Sequence, residues 1–183
     1  MTMADYITTY SKIHFFPLQP DREQIAIEDI AHSLSLLCRA NGHFPEFYSV
    51  GQHSIACARE AEARGYSKRL ILACLLHDAA ESYLSDVTRP VKKDMPQFIE
   101  DENRLLSEIF IHFLGSDVTK EEWSLICDVD DTLLYYEFYH YMGEQLKKPA
   151  APMKSQPNFY FQDFKKVEAE FLQLFRELVI TSH

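Results

Sequence analysis

The chain has 183 residues, 46% hydrophobic and 25% charged, with a formal net charge of −10, which suits one globular domain with a sizeable core. So acidic a surface disfavours a nucleic-acid polymer as partner, because polymer binding needs a basic face to neutralise phosphates; a small phosphorylated ligand needs only a local cluster of cations. Five glycines and 8 prolines argue against a turn-rich β-sandwich and for helices.

No apolar run approaches bilayer length, and the start Met-Thr-Met-Ala-Asp lacks the basic region and apolar core of a signal peptide. A cytoplasmic protein with no membrane partner is therefore expected. Cys38, Cys57, Cys74 and Cys127 are widely spaced, each in a segment that reads as helix, and are expected to be reduced, packed thiols.

In chain order, the β-favouring runs from Tyr6 to Tyr10 and from Ile13 to Phe16 predict a short hairpin or extended arm. A first helix is predicted over about 23–40, with Ile27, Ile30, Leu34, Leu37 and Cys38 at helical spacing and Asn41-Gly42 as its stop. Ser49 is a good N-cap for a helix to about Arg64, closed by Gly65. On it Val50, His53, Cys57 and Ala61 share a face, so a histidine interrupts an apolar stripe.

Ser67 caps the next helix, predicted to carry the apolar run Leu70–Leu76 straight into His77-Asp78 and Glu81. The stretch from Ser85 to Lys93 reads as a loop with a proline stop at Pro90, and holds three cations, Arg89, Lys92 and Lys93. An amphipathic helix follows over about 98–114. Thr119-Lys120-Glu121-Glu122 is a capping box opening a helix to about Met142. Its buried stripe is expected to be Trp123, Ile126, Cys127, Leu133, Leu134, Phe138 and Tyr141. Asp130 falls within that stripe, with Asp131 rotated about 100° and Asp128 about 200° away. An inward carboxylate needs a cation, either a metal or a distant arginine.

Residues 143–157 read as linker, and about 161–179 as an amphipathic helix packing on the core or on a partner subunit. The expectation is a single all-α domain over 1–183, its core spanning about 23–142, with a homodimer or larger homo-oligomer as an open possibility.

Four inward polar groups stand out, namely His53, His77, Asp78 and Asp130. Two imidazoles and two carboxylates make a mixed nitrogen/oxygen shell for a divalent transition metal such as Mn, Co, Ni, Fe or Zn; Mg suits two imidazoles less well. Their order and spacing match the H…HD…D signature of the HD-domain superfamily. The blocks Asp29–Ser35, Tyr48–Ser54, Leu75–Glu81 and Ser85–Lys92 are also similar to blocks of that family. From about Ile27 to Phe138 the chain resembles bacterial and phage HD-domain phosphohydrolases, most nearly those similar to 5′-deoxynucleotidases.

The resemblance implies an HD-domain helical bundle and a metal-dependent phosphohydrolase acting on a nucleotide. It implies His53, His77, Asp78 and Asp130 as ligands, Glu81 as catalytic glutamate, and Asp86 as a catalytic aspartate near sugar or water. Arg39, His43, Arg89 and Lys92 are the candidates for holding substrate, with Arg39 first for phosphate. Arg39 is followed by Ala40, where the deoxynucleotidase-like relatives have a tryptophan, so sugar preference stays open. The alternatives are a deoxynucleoside triphosphate triphosphohydrolase and a non-catalytic metal- or nucleotide-binding HD module. His32 is expected to be structural, His112 and His140 to be packing or surface residues, and Lys147-Lys148 a solvated patch.

Overall fold

A computed structural model describes residues 5–146 and 151–179; Lys147-Lys148 lie outside them. The fold is all-α with a small N-terminal arm. Strands β1 (Ile7–Thr8) and β2 (His14–Phe15) pair antiparallel, Ile7 opposite Phe15. The buried Phe15 ring lies 4.3 Å from that of Tyr83, fastening the arm to the helices.

The helices are α1 (Ile27–Leu36), α2 (Val50–Ala63), α3 (Lys68–Leu76), α4 (Glu81–Leu84), α5 (Arg89–Lys92), α6 (Pro96–Leu114), α7 (Lys120–Met142) and α8 (Phe164–Val179). Local capping explains several starts. Ser49 accepts from the Gln52 amide and Thr119 from the Glu122 amide, each in a full capping box, and Ser67 accepts from Leu70.

α3 is the central element. Leu70 to Leu76 are all buried, as a helix apolar on every side must be, and α2, α6, α7 and α8 pack around it. α8 also packs on α1 and α2, so the C-terminal helix closes on its own bundle. Gly51 makes the α1–α2 approach possible. A Cβ there would lie 3.1 Å from the Leu34 carbonyl, from the Ser35 amide and from a Val167 methyl of α8.

Four boundaries differ from the sequence expectation. α1 starts at Ile27 rather than near 23, because a separate 3-10 turn over Arg22–Gln24 is followed by extended Ile25 and Ala26. α1 ends at Leu36 rather than near 40, because the chain leaves the helix to pair with the returning strand. Val50 donates to the Leu37 carbonyl and Arg39 to that of Tyr48, both at 2.9 Å. Cys38 thus sits in an extended link, and Arg39–Gly42 forms a separate 3-10 turn in which Ala40 and Asn41 adopt positive φ. α3 ends at Leu76, and residues 77–80 form a turn with i→i−3 bonds (Ala79 to Leu76, Glu81 to Asp78) before α4. Pro90 opens α5 instead of stopping a segment, since a helix's first turn has no use for its missing N–H.

The buried stripe of α7 is also corrected. Val129, Thr132 and Glu137 join Ile126 and Leu133 inside, whereas Trp123 is 38% exposed, and Cys127, Leu134, Phe138 and Tyr141 are half-buried. All four cysteines are free thiols. Among the described residues no helix is long and apolar enough to cross a membrane.

Candidate metal centre

Three elements converge beneath the end of α3. α2 supplies His53, with no exposed surface; the turn after α3 supplies His77 and Asp78; and the middle of α7 supplies Asp130. The two Nε2 atoms lie 3.3 Å apart. Asp130 Oδ1 is 3.1 Å from Nε2 of His53 and 3.8 Å from that of His77. Asp78 Oδ1 is 3.2 Å from His77 Nε2, and its Oδ2 is 3.7 Å from His53 Nε2. Ligand atoms held about 2.1 Å from one ion sit about 3.0 to 3.5 Å from one another, depending on geometry. Three of the observed spacings fall in that range and the other two, 3.7 and 3.8 Å, lie just above it.

The far side of each ring fixes its tautomer. His53 Nδ1 donates to Glu137 Oε1 at 2.6 Å, and His77 Nδ1 to the Cys74 carbonyl at 2.8 Å. Both Nε2 lone pairs are thereby turned on each other and on two carboxylates, an arrangement that calls for a shared positive charge. Proton affinities register this demand. Burial and Arg39 push His53 down, but Cys57, Glu137 and Asp130 outweigh them and hold it well above the usual imidazole range. Burial pushes Asp130 up, yet its contacts with His53 and His77 hold it well below the usual carboxylate range.

The buried group His53, Cys57 and His77 could hold a metal ion. Cys57, one turn beyond His53 on α2, places Sγ 3.4 Å from its Nε2. Burial, partly offset by His53, pushes its thiol up to about 11. The sequence places Cys57 on the face of His53 but outside the proposed shell; the structure puts it against that shell.

Of the ten residues nominated from sequence, all but the enclosed His53 line one cavity of about 850 Å³. Glu81 is buried, with Oε2 lacking a hydrogen-bond partner. Burial first, then the charges of Asp78 and Asp86, holds its carboxyl well above the usual range. Asp86 is half-buried and also raised, chiefly by burial. His43 is exposed at the rim.

Each cavity cation engages carboxylates. Arg39 lies 3.3 Å from Asp78 and 3.2 Å from Glu137. Arg89 spans Asp130 and Asp131. Lys92 is 2.8 Å from Glu102 and 3.9 Å from Glu81. The arginine anticipated for Asp130 is thus present, holding Oδ2 while Oδ1 faces the histidines.

Sequence reasoning missed Glu137. It is fully buried and touches both His53 and Arg39, so it anchors one imidazole directly and Asp78 through Arg39. A glutamate among the tyrosines and phenylalanines of α7 gives little sign of this; its only local clue is its place two turns beyond Asp130. His32 is structural, as expected, pairing with Glu168 of α8 at 3.0 Å and stacking on Tyr10 of the arm at 3.8 Å. The exposed His112 and His140 rest against neighbouring aromatic rings.

No family model matches the chain. It is 35% identical over 100 residues to the uncharacterized protein YfdR of Escherichia coli (strain K12), covering 55% of this chain and 53% of that protein. It is 39% identical over 102 residues to the uncharacterized protein RCAP_rcc00048 of Rhodobacter capsulatus, covering 52% of each. The chain therefore spans about half the length of these curated relatives.

Proposed function

We propose that the chain is a metal-dependent phosphohydrolase of the HD type that acts on a nucleotide. The observation that carries this reading is the convergence of two imidazole Nε2 atoms and two carboxylates in a cavity that also holds a buried glutamate whose Oε2 has no hydrogen-bond partner. The H…HD…D order and the four sequence blocks support it independently.

His53, His77, Asp78 and Asp130 are assigned as ligands. The carboxylates are preferred to Cys57 because ligation needs the ionised form. Asp130 is held ionised, whereas Cys57 resists losing its proton. A divalent cation in such a shell supplies Lewis-acid activation of water and of a phosphoryl oxygen.

The chain's own residues do the rest. Arg39 and Glu137 hold Asp78 and His53 in place, and Arg89 holds Asp130. Glu81, raised in proton affinity and free at Oε2, moves the proton between water and the leaving oxygen. Asp86 orients the sugar end, and Arg39, Arg89 and Lys92 at the cavity wall offset phosphate charge while staying paired.

The test is turnover of mono-, di- and triphosphate nucleotides, ribo and deoxy, by protein loaded in turn with Mn, Co, Ni, Fe or Zn, with products identified. Free phosphate from monophosphates is the expected result. Release of intact triphosphate assigns the triphosphohydrolase alternative. No product from any nucleotide with any metal leaves a binding module and overturns the enzyme reading.

A further inference from the structure

The cavity is lined along its length by α7, and Asp130 divides that wall. Toward the C-terminal end its aromatic residue, Phe138, sits in a cluster with Phe44 and Tyr141. Phe44 stacks on Tyr141 at 4.6 Å and 21°, and meets Phe138 edge-on at 5.3 Å. Toward the N-terminal end stands Trp123, the chain's single tryptophan. It is 38% exposed and makes only an edge contact with Phe110, at 6.5 Å and 67°. Among the described residues no ring stacks on its face.

Asn103 of α6 lines the same cavity, exposed, and its side chain makes no hydrogen bond to a described residue. Its amide offers both a donor and an acceptor. Trp123 precedes Asp130 by two helical turns, about 10 Å along the axis at 1.5 Å per residue, on the order of the distance from phosphate to base across a 5′-nucleotide.

We infer that Trp123 is the stacking platform for the substrate's nucleobase, with the Asn103 amide reading the base's polar edge. This rests on the nucleotide reading above and fixes which end of the cavity receives the base. A π-face paired with a bifunctional amide suits a flat heterocycle with donors and acceptors on its rim; a sugar phosphate without a base has nothing to place there.

The experiment uses the full chain loaded with Co, and titrates adenosine and deoxyadenosine 5′-monophosphate against ribose 5-phosphate. Trp123 emission should be quenched by both nucleotides and unchanged by ribose 5-phosphate. In calorimetry, Trp123→Ala should raise the Kd of the nucleotides about tenfold or more, Trp123→Phe less, and neither should change the Kd of ribose 5-phosphate. Trp123→Phe keeps a ring in place, so it decides the matter should the alanine variant fold poorly. The inference is overturned if the nucleotides bind these variants as tightly as the parent, or if Phe138→Leu weakens them while Trp123→Ala does not. Quenching without hydrolysis would support the base site and sink the hydrolase reading. Hydrolysis of nucleotides and ribose 5-phosphate alike, indifferent to Trp123, would do the opposite.

Discussion

Glu137 Oε1 lies 2.6 Å from Nδ1 of His53, and both side chains are wholly enclosed. The carboxylate fixes the tautomer that turns Nε2 toward His77 and the two aspartates. Removing such a partner typically lowers metal affinity about 10- to 100-fold. Glu137→Leu should lose that much in metal titrations, with Glu137→Gln, which can still accept from Nδ1–H, losing less. Equal affinity in all three proteins would show that the contact orients nothing.

The aspartates of α7 separate by role. Asp130→Asn should lose the metal, whereas Asp131→Asn, which removes one end of the Arg89 bridge, should keep it. Cys57→Ala should also retain it. Metal content after dialysis decides, and retention by Asp130→Asn alongside loss by Cys57→Ala would transfer the shell to the sulfur.

Glu81→Gln removes the proposed proton carrier without removing a proposed ligand. It should bind metal stoichiometrically yet turn over nucleotide about 100-fold or more slowly. Full activity in the glutamine variant would remove Glu81 from the chemistry.

Much of this was readable locally. Ser49, Ser67 and Thr119 announce their helices because a cap is satisfied within three residues. His53 and Asp130 stand out because each interrupts an apolar stripe. What the sequence hid depends on distant partners. α1 stops early because Leu37 and Arg39 pair with Val50 and Tyr48 across the intervening loop. Glu137 acquires meaning only from a histidine 84 residues away, and Arg89 from an aspartate 41 residues on. Trp123 reads as core by periodicity, but in the fold that position borders the cavity.

Away from the centre, buried Glu60 of α2 accepts from Arg64 and from the Lys154 and Ser155 amides, pinning the segment before α8. Burial pushes its carboxyl up, but these hydrogen bonds outweigh burial and hold it below the usual range. A depressed folded pKa stabilises above the unfolded value, about 4.3, and that contribution is lost as pH falls through the folded value. Glu60→Gln should therefore destabilise the fold at neutral pH, by about 1.5–3 kcal/mol, the usual worth of hydrogen bonds to a charged group. The gap from the parent should narrow below about pH 4 in denaturant melts. A gap that widens on acidification would contradict the assignment.

Gly51→Ala tests the packing of α1, α2 and α8. Its methyl would meet two backbone atoms and a valine, so about 1–3 kcal/mol of stability should be lost. An unchanged melting temperature would mean that the helices have room to part.

Trp123, Asp130 and Glu137 recur on α7 at intervals of seven residues, a period that drifts only about 20° per step on a helix. One rod thus sets the register of the proposed base platform, a proposed ligand and the anchor of a second ligand. Substitutions between them are tolerable where side chains are exposed, but insertions are not. A single residue added or deleted between Asp130 and Glu137 would swing the anchor about 100° away from His53. Changes in chain length should therefore be purged from α7.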